Sequence, residues 1–210
     1  MTRYLSLSAL SVAAVITLAG CGSDNEPATP ATEPTASTQE SSPSATGSGA
    51  EVSAEHNDAD AMFAQMMIPH HQQAVEMSDM ILAKDDISPE IADLATKIKE
   101  AQGPEIETMT SWLEAWDRPI MPEGAMEGHD MGSMDGMLDE DQMADLESAE
   151  GDEAIMMFLE SMTEHHDGAI DMAQEEIDNG ENPEAIALAE TIVETQQAEI
   201  QEMEELLAEL

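Results

Sequence analysis

The chain has a single cysteine, Cys21, and 5 lysines and arginines against 47 acids. With no second cysteine there is no intramolecular disulfide, and past Cys21 there is no thiolate to offer a metal. A formal charge of −42 excludes nucleic acid as a partner, because a phosphate backbone is held by the cations this chain lacks. The same acidic coat raises the local concentration of cations without choosing among them. Aromatic residues make up 2% of the sequence, so a core has to be built from Ala, Leu, Ile and the 18 methionines. No segment alternates Val, Ile or Thr with polar residues in the way a strand requires.

The apolar run from Leu5 to Leu18 follows Arg3 and leads into Leu18-Ala19-Gly20-Cys21. It is shorter than the roughly 20 apolar residues a spanning helix needs. It reads as a lipoprotein signal peptide over residues 1–20, cut before Cys21, whose sulfur and amine would carry lipid. The alternative is an ordinary secretory signal with an incidental cysteine. Residues 21–56 are rich in Ser, Thr, Pro, Ala, Glu and Gly and bury too little to fold, which suits a flexible tether. Residues 57–210 then form one domain. The expectation is an exported protein, lipid-anchored to the cell membrane on its extracytoplasmic side and touching the membrane through that anchor only.

Within the domain one pattern appears twice. Aligning His70 with His165 also matches Phe63 with Phe158, Met67 with Met162, His71 with His166, Ala74 with Ala169 and Met77 with Met172. Further on, Pro89-Glu90, Ile98, Gln102, Glu105-Ile106 and Met109 match Pro183-Glu184, Ile192, Gln196, Glu199-Ile200 and Met203, with the spacing one residue shorter. Two copies of a helical hairpin explain this register, the lost residue being a loop deletion. Ser88-Pro89-Glu90 and Asn182-Pro183-Glu184 are helix starts, with a capping side chain, Pro at the first helical position and an acid after it. The spacing predicts hairpin 1 over about 58–116, a Met-rich loop over 117–138, a short helix over 139–149 ended by Gly151, and hairpin 2 over about 152–209. The fold class is therefore all-α, an antiparallel four-helix bundle made of two repeated hairpins.

Adjacent histidines on a helix point about 100° apart and do not easily grip one ion together. Met67 lies three residues before His70 and four before His71, so its thioether neighbours both rings, and Met77 lies two turns beyond. Met162, His165, His166 and Met172 repeat the arrangement. Thioether with neutral imidazole favours Cu(I) over Mg²⁺, Ca²⁺ or Mn²⁺. Met at helical spacing also serves simply as core, whereas packing alone has no need of paired imidazoles. Gln102-x-x-Glu105 and Gln196-x-x-Glu199 are placed to orient the rings, to ligate, or to sit on a solvated face. In the Gly-rich loop, Met121, Met126, His129, Met131, Met134 and Met137 offer short-spaced soft ligands; a cap over the bundle end or oxidisable scavenging are the other readings.

These H-H-x-x-A-[IV]-x-M helices, each followed by a helix bearing Q-x-x-E-I-x-x-M, resemble the domain-of-unknown-function family numbered 305, over about residues 58–207. The resemblance implies a ferritin-like four-helix bundle, exported or membrane-anchored, with some relatives associated with copper binding and copper resistance. It carries a metal role to Met67, His70, His71 and Met77 and to Met162, His165, His166 and Met172. The second copy has Thr163-Glu164 in place of Ile68-Pro69, so the two sites need not be equivalent, and Pro69 is placed to kink its helix.

The expected function is non-catalytic Cu(I) buffering, chaperoning or resistance, with copper ions and an unknown metal-transfer partner as the interacting species. One alternative is a structural or interaction module whose His and Met layer is core packing. A ferritin-like redox enzyme fits less well, because Met67 and Met162 stand where paired Glu-x-x-His motifs would place carboxylates.

Overall fold

A computed structural model describes residues 53–120 and 136–210. Cys21, the signal peptide and most of the tether lie outside the described residues, as do Met121, Met126, His129, Met131 and Met134. Among the described residues there are five helices and no strand: α1 (Asp58–Leu82), α2 (Pro89–Ala115), α3 (Glu140–Ser148), α4 (Gly151–Asn179) and α5 (Pro183–Glu209). None is long and apolar enough to cross a membrane.

The helix starts follow local chemistry. Asn57 caps α1, its side chain accepting from the amides of Ala59 and Asp60 while Asp60 reaches back to the Asn57 amide, which satisfies donors that helix geometry leaves orphaned. Ser88 and Asn182 cap α2 and α5 ahead of Pro89 and Pro183. Asp139 and Gln142 close a capping box on α3. Gly151 does not end that helix as the sequence suggests. Ala149 turns extended after Ser148, and Gly151, at φ +60°, opens α4 in a conformation that costs glycine little. α1 runs as one helix through Pro69.

α1 packs along α2, α4 along α5, and α1 meets α4 across the middle. All three pairings are antiparallel: His71 faces Glu105, His166 faces Glu199, and His70 faces His165. The apolar interior falls into two clusters. One gathers Met67, Met109, Trp112, Met172 and Ile192; the other gathers Met77, Ile98, Phe158, Met162 and Met203. Each fully buried side chain of this size contributes roughly 1.5–3 kcal/mol. Four histidines, all fully buried, sit on α1 and α4 between the residues of the two clusters.

Several contacts fix what surrounds this interior. Gln65 donates to the Pro119 carbonyl, and Gln73 exchanges two bonds with the Leu138 backbone, so α1 holds the chain on either side of residues 121–135. Gly136, at φ +88°, lies so close to α4 that a Cβ would collide with the Glu164 carbonyl oxygen. Residues 53–56, expected in the tether, pack on the bundle: His56 stacks on Trp116 at 4.5 Å, Trp116 donates to the Ser53 carbonyl, and Asn182 donates to that of Glu55.

At the same end two acids are buried together. Asp60 accepts from the amides of Glu181 and Asn182. Burial alone would raise its pKa, but the backbone donor of Asn57, the Glu176 side chain and the donors of Asn182 and Glu181 hold it low. Glu176 is pushed up to about 8, by burial first and then by Asp60. The fold thus keeps a proton that the unfolded chain releases near 4.5. This contribution is complete below pH 4.5 and is lost as the pH rises through about 8. Glu176→Gln should therefore match the parent's thermal midpoint near pH 5 and exceed it at pH 9; parallel decline of both proteins would show that Glu176 is ionised in the fold. Gly136→Ala should lower stability in urea by at least the roughly 1–2 kcal/mol of a left-handed residue, and an unchanged midpoint would refute the close approach.

Candidate metal centre

Antiparallel packing of α1 on α4 brings the His70 and His165 rings to 3.8 Å between centroids, tilted by 43°. The next residue on each helix is rotated about 100° away, so His71 turns toward α2 and His166 toward α5. There His71 Nε2 lies 2.8 Å from Glu105 Oε2, and His166 Nε2 lies 2.9 Å from Glu199 Oε2. A carboxylate only accepts, so in each pair Nε2 donates, and at His166, which burial keeps neutral, Nδ1 retains its lone pair. Nδ1 of both His71 and His166 is buried without a hydrogen-bond partner among the described residues. Of the two expected relays, the glutamates make the bond. The buried Gln102 amide and Gln196 Oε1 have no partner among the described residues.

Burial pulls the pKa of His165 well below 6.5, helped by His70, His166 and His71, and the His70 backbone offsets this only in part. Burial also lowers that of His166, against the upward pull of Glu199. Both rings are therefore neutral at pH 7, the form in which imidazole ligates a metal. The two pairs differ in setting. Glu199 is 4% exposed and has Lys97 at 4.0 Å, whereas Glu105 is 14% exposed.

The thioethers group differently from the expectation. Met67 and Met77 lie on opposite sides of the histidines, ten residues apart and hence about 15 Å along α1, too far to share an ion. The antiparallel partner supplies the match: Met172 joins the cluster of Met67, and Met162 joins that of Met77. Each group therefore takes one methionine from each copy of the repeat. Met137 is half-buried beside Leu138, while His129, Met131 and Met134 lie outside the described residues. Glu176 and Asp60 were not singled out by sequence. The visible signal is a break in the repeat, where Glu176 aligns with Ile81.

Among the described residues no three His, Cys, Asp or Glu side chains converge on a metal position. The apolar clusters on either side of the rings supply thioether sulfur as a further donor. The donor set suits a soft metal: Nδ1 of His71 and of His166, which have no hydrogen-bond partner among the described residues, second ring nitrogens bonded to carboxylates, and methionines from both helices.

An all-helical bundle of two hairpins with a buried histidine layer defines the class. The chain belongs to the family described as Domain of unknown function (DUF305), whose model matches residues 60–207. It is similar to a DUF305 protein of Streptomyces coelicolor, provisionally described as secreted, at 38% identity over 72% of this chain and 91% of that one, with a TM-score of 0.65. A DUF305 fragment from Deinococcus radiodurans matches at 30% identity over 73% and 98% of the two chains, with a TM-score of 0.66. CopM in its Cu(II)-bound form matches at 34% identity over 71% and 96%, with a TM-score of 0.60. CopM has also been solved with Cu(I) and with Ag. No curated protein matches this chain.

A pH dependence follows from the buried rings. Their folded pKa values lie below the ordinary 6.5, so the unfolded chain takes up protons first as the pH falls. The stability they contribute is present above pH 6.5 and is lost below it. Replacing His165 and His166 by Gln should flatten the decline in melting temperature between pH 7.5 and 5.5, and an equal slope in the variant would mean that the rings protonate within the fold.

Proposed function

We propose that this protein binds copper outside the cytoplasm, anchored to the membrane through Cys21, and buffers or relays Cu(I) without catalysing a reaction. The observation that carries this reading is the pair of buried Nδ1 atoms on His71 and His166, each without a hydrogen-bond partner among the described residues, on a ring whose other nitrogen donates to a carboxylate. A register-fixing polar layer needs its groups satisfied, and these are left open.

The proposed ligands are the imidazoles of His70, His71, His165 and His166 with thioethers from Met67 and Met172 on one side and Met77 and Met162 on the other. Sulfur and neutral nitrogen suit a soft monovalent ion. The likeness to CopM, solved with Cu(II), Cu(I) and Ag, supports the choice of metal. His129, Met131, Met134 and Met137 are proposed as capture ligands that hand the ion to the bundle, and a further protein would receive it.

A second reading, a structural or interaction module, has the interlocking His70 and His165 rings in its favour, since they fix the α1 to α4 register without any ion. Titration of the whole chain with Cu(I) under reductant, against a chromophoric chelator and with Zn²⁺ in parallel, separates the two. Selective Cu(I) uptake with a rising melting temperature is expected, worth about 2.7 kcal/mol when free ligand is one hundred times Kd. No competition and no thermal shift would leave the structural module. Glu199→Gln should weaken Cu(I) binding about 10–100-fold by releasing the His166 ring, and unchanged affinity would remove His166 from the ligand set.

A further inference from the structure

Away from the histidine layer, toward the start of α1, lies a cavity of about 320 Å³ that opens to solvent. Met62 and Met66, one turn apart on α1, and Met172 on α4 line it together with Glu176. Met62 is 54% exposed, while Met66 and Met172 are buried, so the sulfur-bearing side chains run from the surface inward. Glu176 is 2% exposed, and apart from the Asp60 side chain its carboxyl oxygens have no hydrogen-bond partner among the described residues.

The repeat provides an internal control. The positions equivalent to Met62, Met66, Met172 and Glu176 are Met157, Ser161, Met77 and Ile81. Met77 and Ile81 are fully buried in the second apolar cluster, a closed hydrophobic packing. If the residues of the first end served only to fill the interior, the same solution would suffice there. Instead that end replaces Ser with a thioether and Ile with a carboxyl, and both line an open cavity.

The geometry points to an additional, outer site for a soft monovalent cation, Cu(I) or Ag(I), held by the thioethers of Met62, Met66 and Met172 with the Glu176 carboxyl beside them. The cavity is larger than a bare ion, but methionine is unbranched with three rotatable bonds, so three of them can close onto one. Thioether sulfur selects the soft ion from the mixture that the acidic surface concentrates. Met172 also belongs to the apolar cluster of Met67, and so links the outer site to the inner layer. This inference rests on the copper-binding reading above and adds the place where the ion enters or leaves.

The test uses Ag(I), which is inert to redox change, added to the whole chain with carbon-13 in its methionine methyl groups. Expected are shifts of the Met62 and Met66 methyl signals, and loss of one bound Ag(I) in the Met62→Leu/Met66→Leu variant while signals of Met67, Met77 and Met162 still respond. Shifts confined to those inner methionines, with undiminished stoichiometry in the variant, would overturn the outer site and leave the copper-binding reading standing. No shift in any methyl would overturn both. Leucine conserves volume and apolar character. Should the double variant fail to fold, Met62→Leu alone, at an exposed position, supports the site by losing or weakening that Ag(I) and overturns it by binding as the parent does.

Discussion

The contact between His70 and His165 is the constraint on which the rest of the molecule turns. Rings 3.8 Å apart bring α1 and α4 together at one register. Sliding either helix by one residue would rotate its side chains about 100°, removing both glutamate partners and placing imidazoles against aliphatic core. Burying four polar rings carries a desolvation cost. Desolvation works against them, and Glu105 and Glu199 return part of that cost through charge-assisted bonds. The layer thus specifies an arrangement that the apolar clusters on either side make stable, while Nδ1 of His71 and of His166 has no hydrogen-bond partner among the described residues, as a purely specifying layer would supply.

The surface works against compactness in a different way. A charge of −42 repels itself, and the few cations are spent locally, Lys97 on Glu202, Lys99 on Asp79 and Arg118 on Asp58. Exposed pairs of this kind contribute about 0–1 kcal/mol each. Acids do gather in the first turn of every helix, where they complement the dipole, but none of α1 to α4 carries a basic residue in its last turn. Stability therefore rests on the aliphatic and methionine core, and salt should matter more to this protein than to one of balanced charge.

The repeat made the architecture legible, because apolar period, caps and histidines kept step across both copies. The same symmetry hid how the methionines group. Local helix geometry puts Met67 and Met77 beside one histidine pair, and only the antiparallel docking of α4 shows that each belongs with a methionine of the other copy. Gly151 was misread because a glycine after a helix and a glycine before the next look alike in sequence, and only the extended backbone of Ala149 and Glu150 shows that this one opens α4. Glu176 was legible in principle. It stands where the other copy has Ile81, and a carboxyl replacing a core aliphatic marks a position that packing does not explain.

The proposed preference for a monovalent ion has an electrostatic ground beyond ligand softness. A buried ion is tolerated when the charge around it sums near zero. Each histidine pair is backed by one glutamate, and thioethers and neutral imidazoles add no charge of their own. A monovalent cation at either place would then be balanced by that single carboxylate. A divalent ion would leave one positive charge uncompensated in a low-dielectric interior. The balance is leaner at His166, where Lys97 shares Glu199 at 4.0 Å and already claims part of its charge. The two halves of the repeat, alike in donors, thus offer an ion different fields, with the His71 side the more strongly attracting of the two.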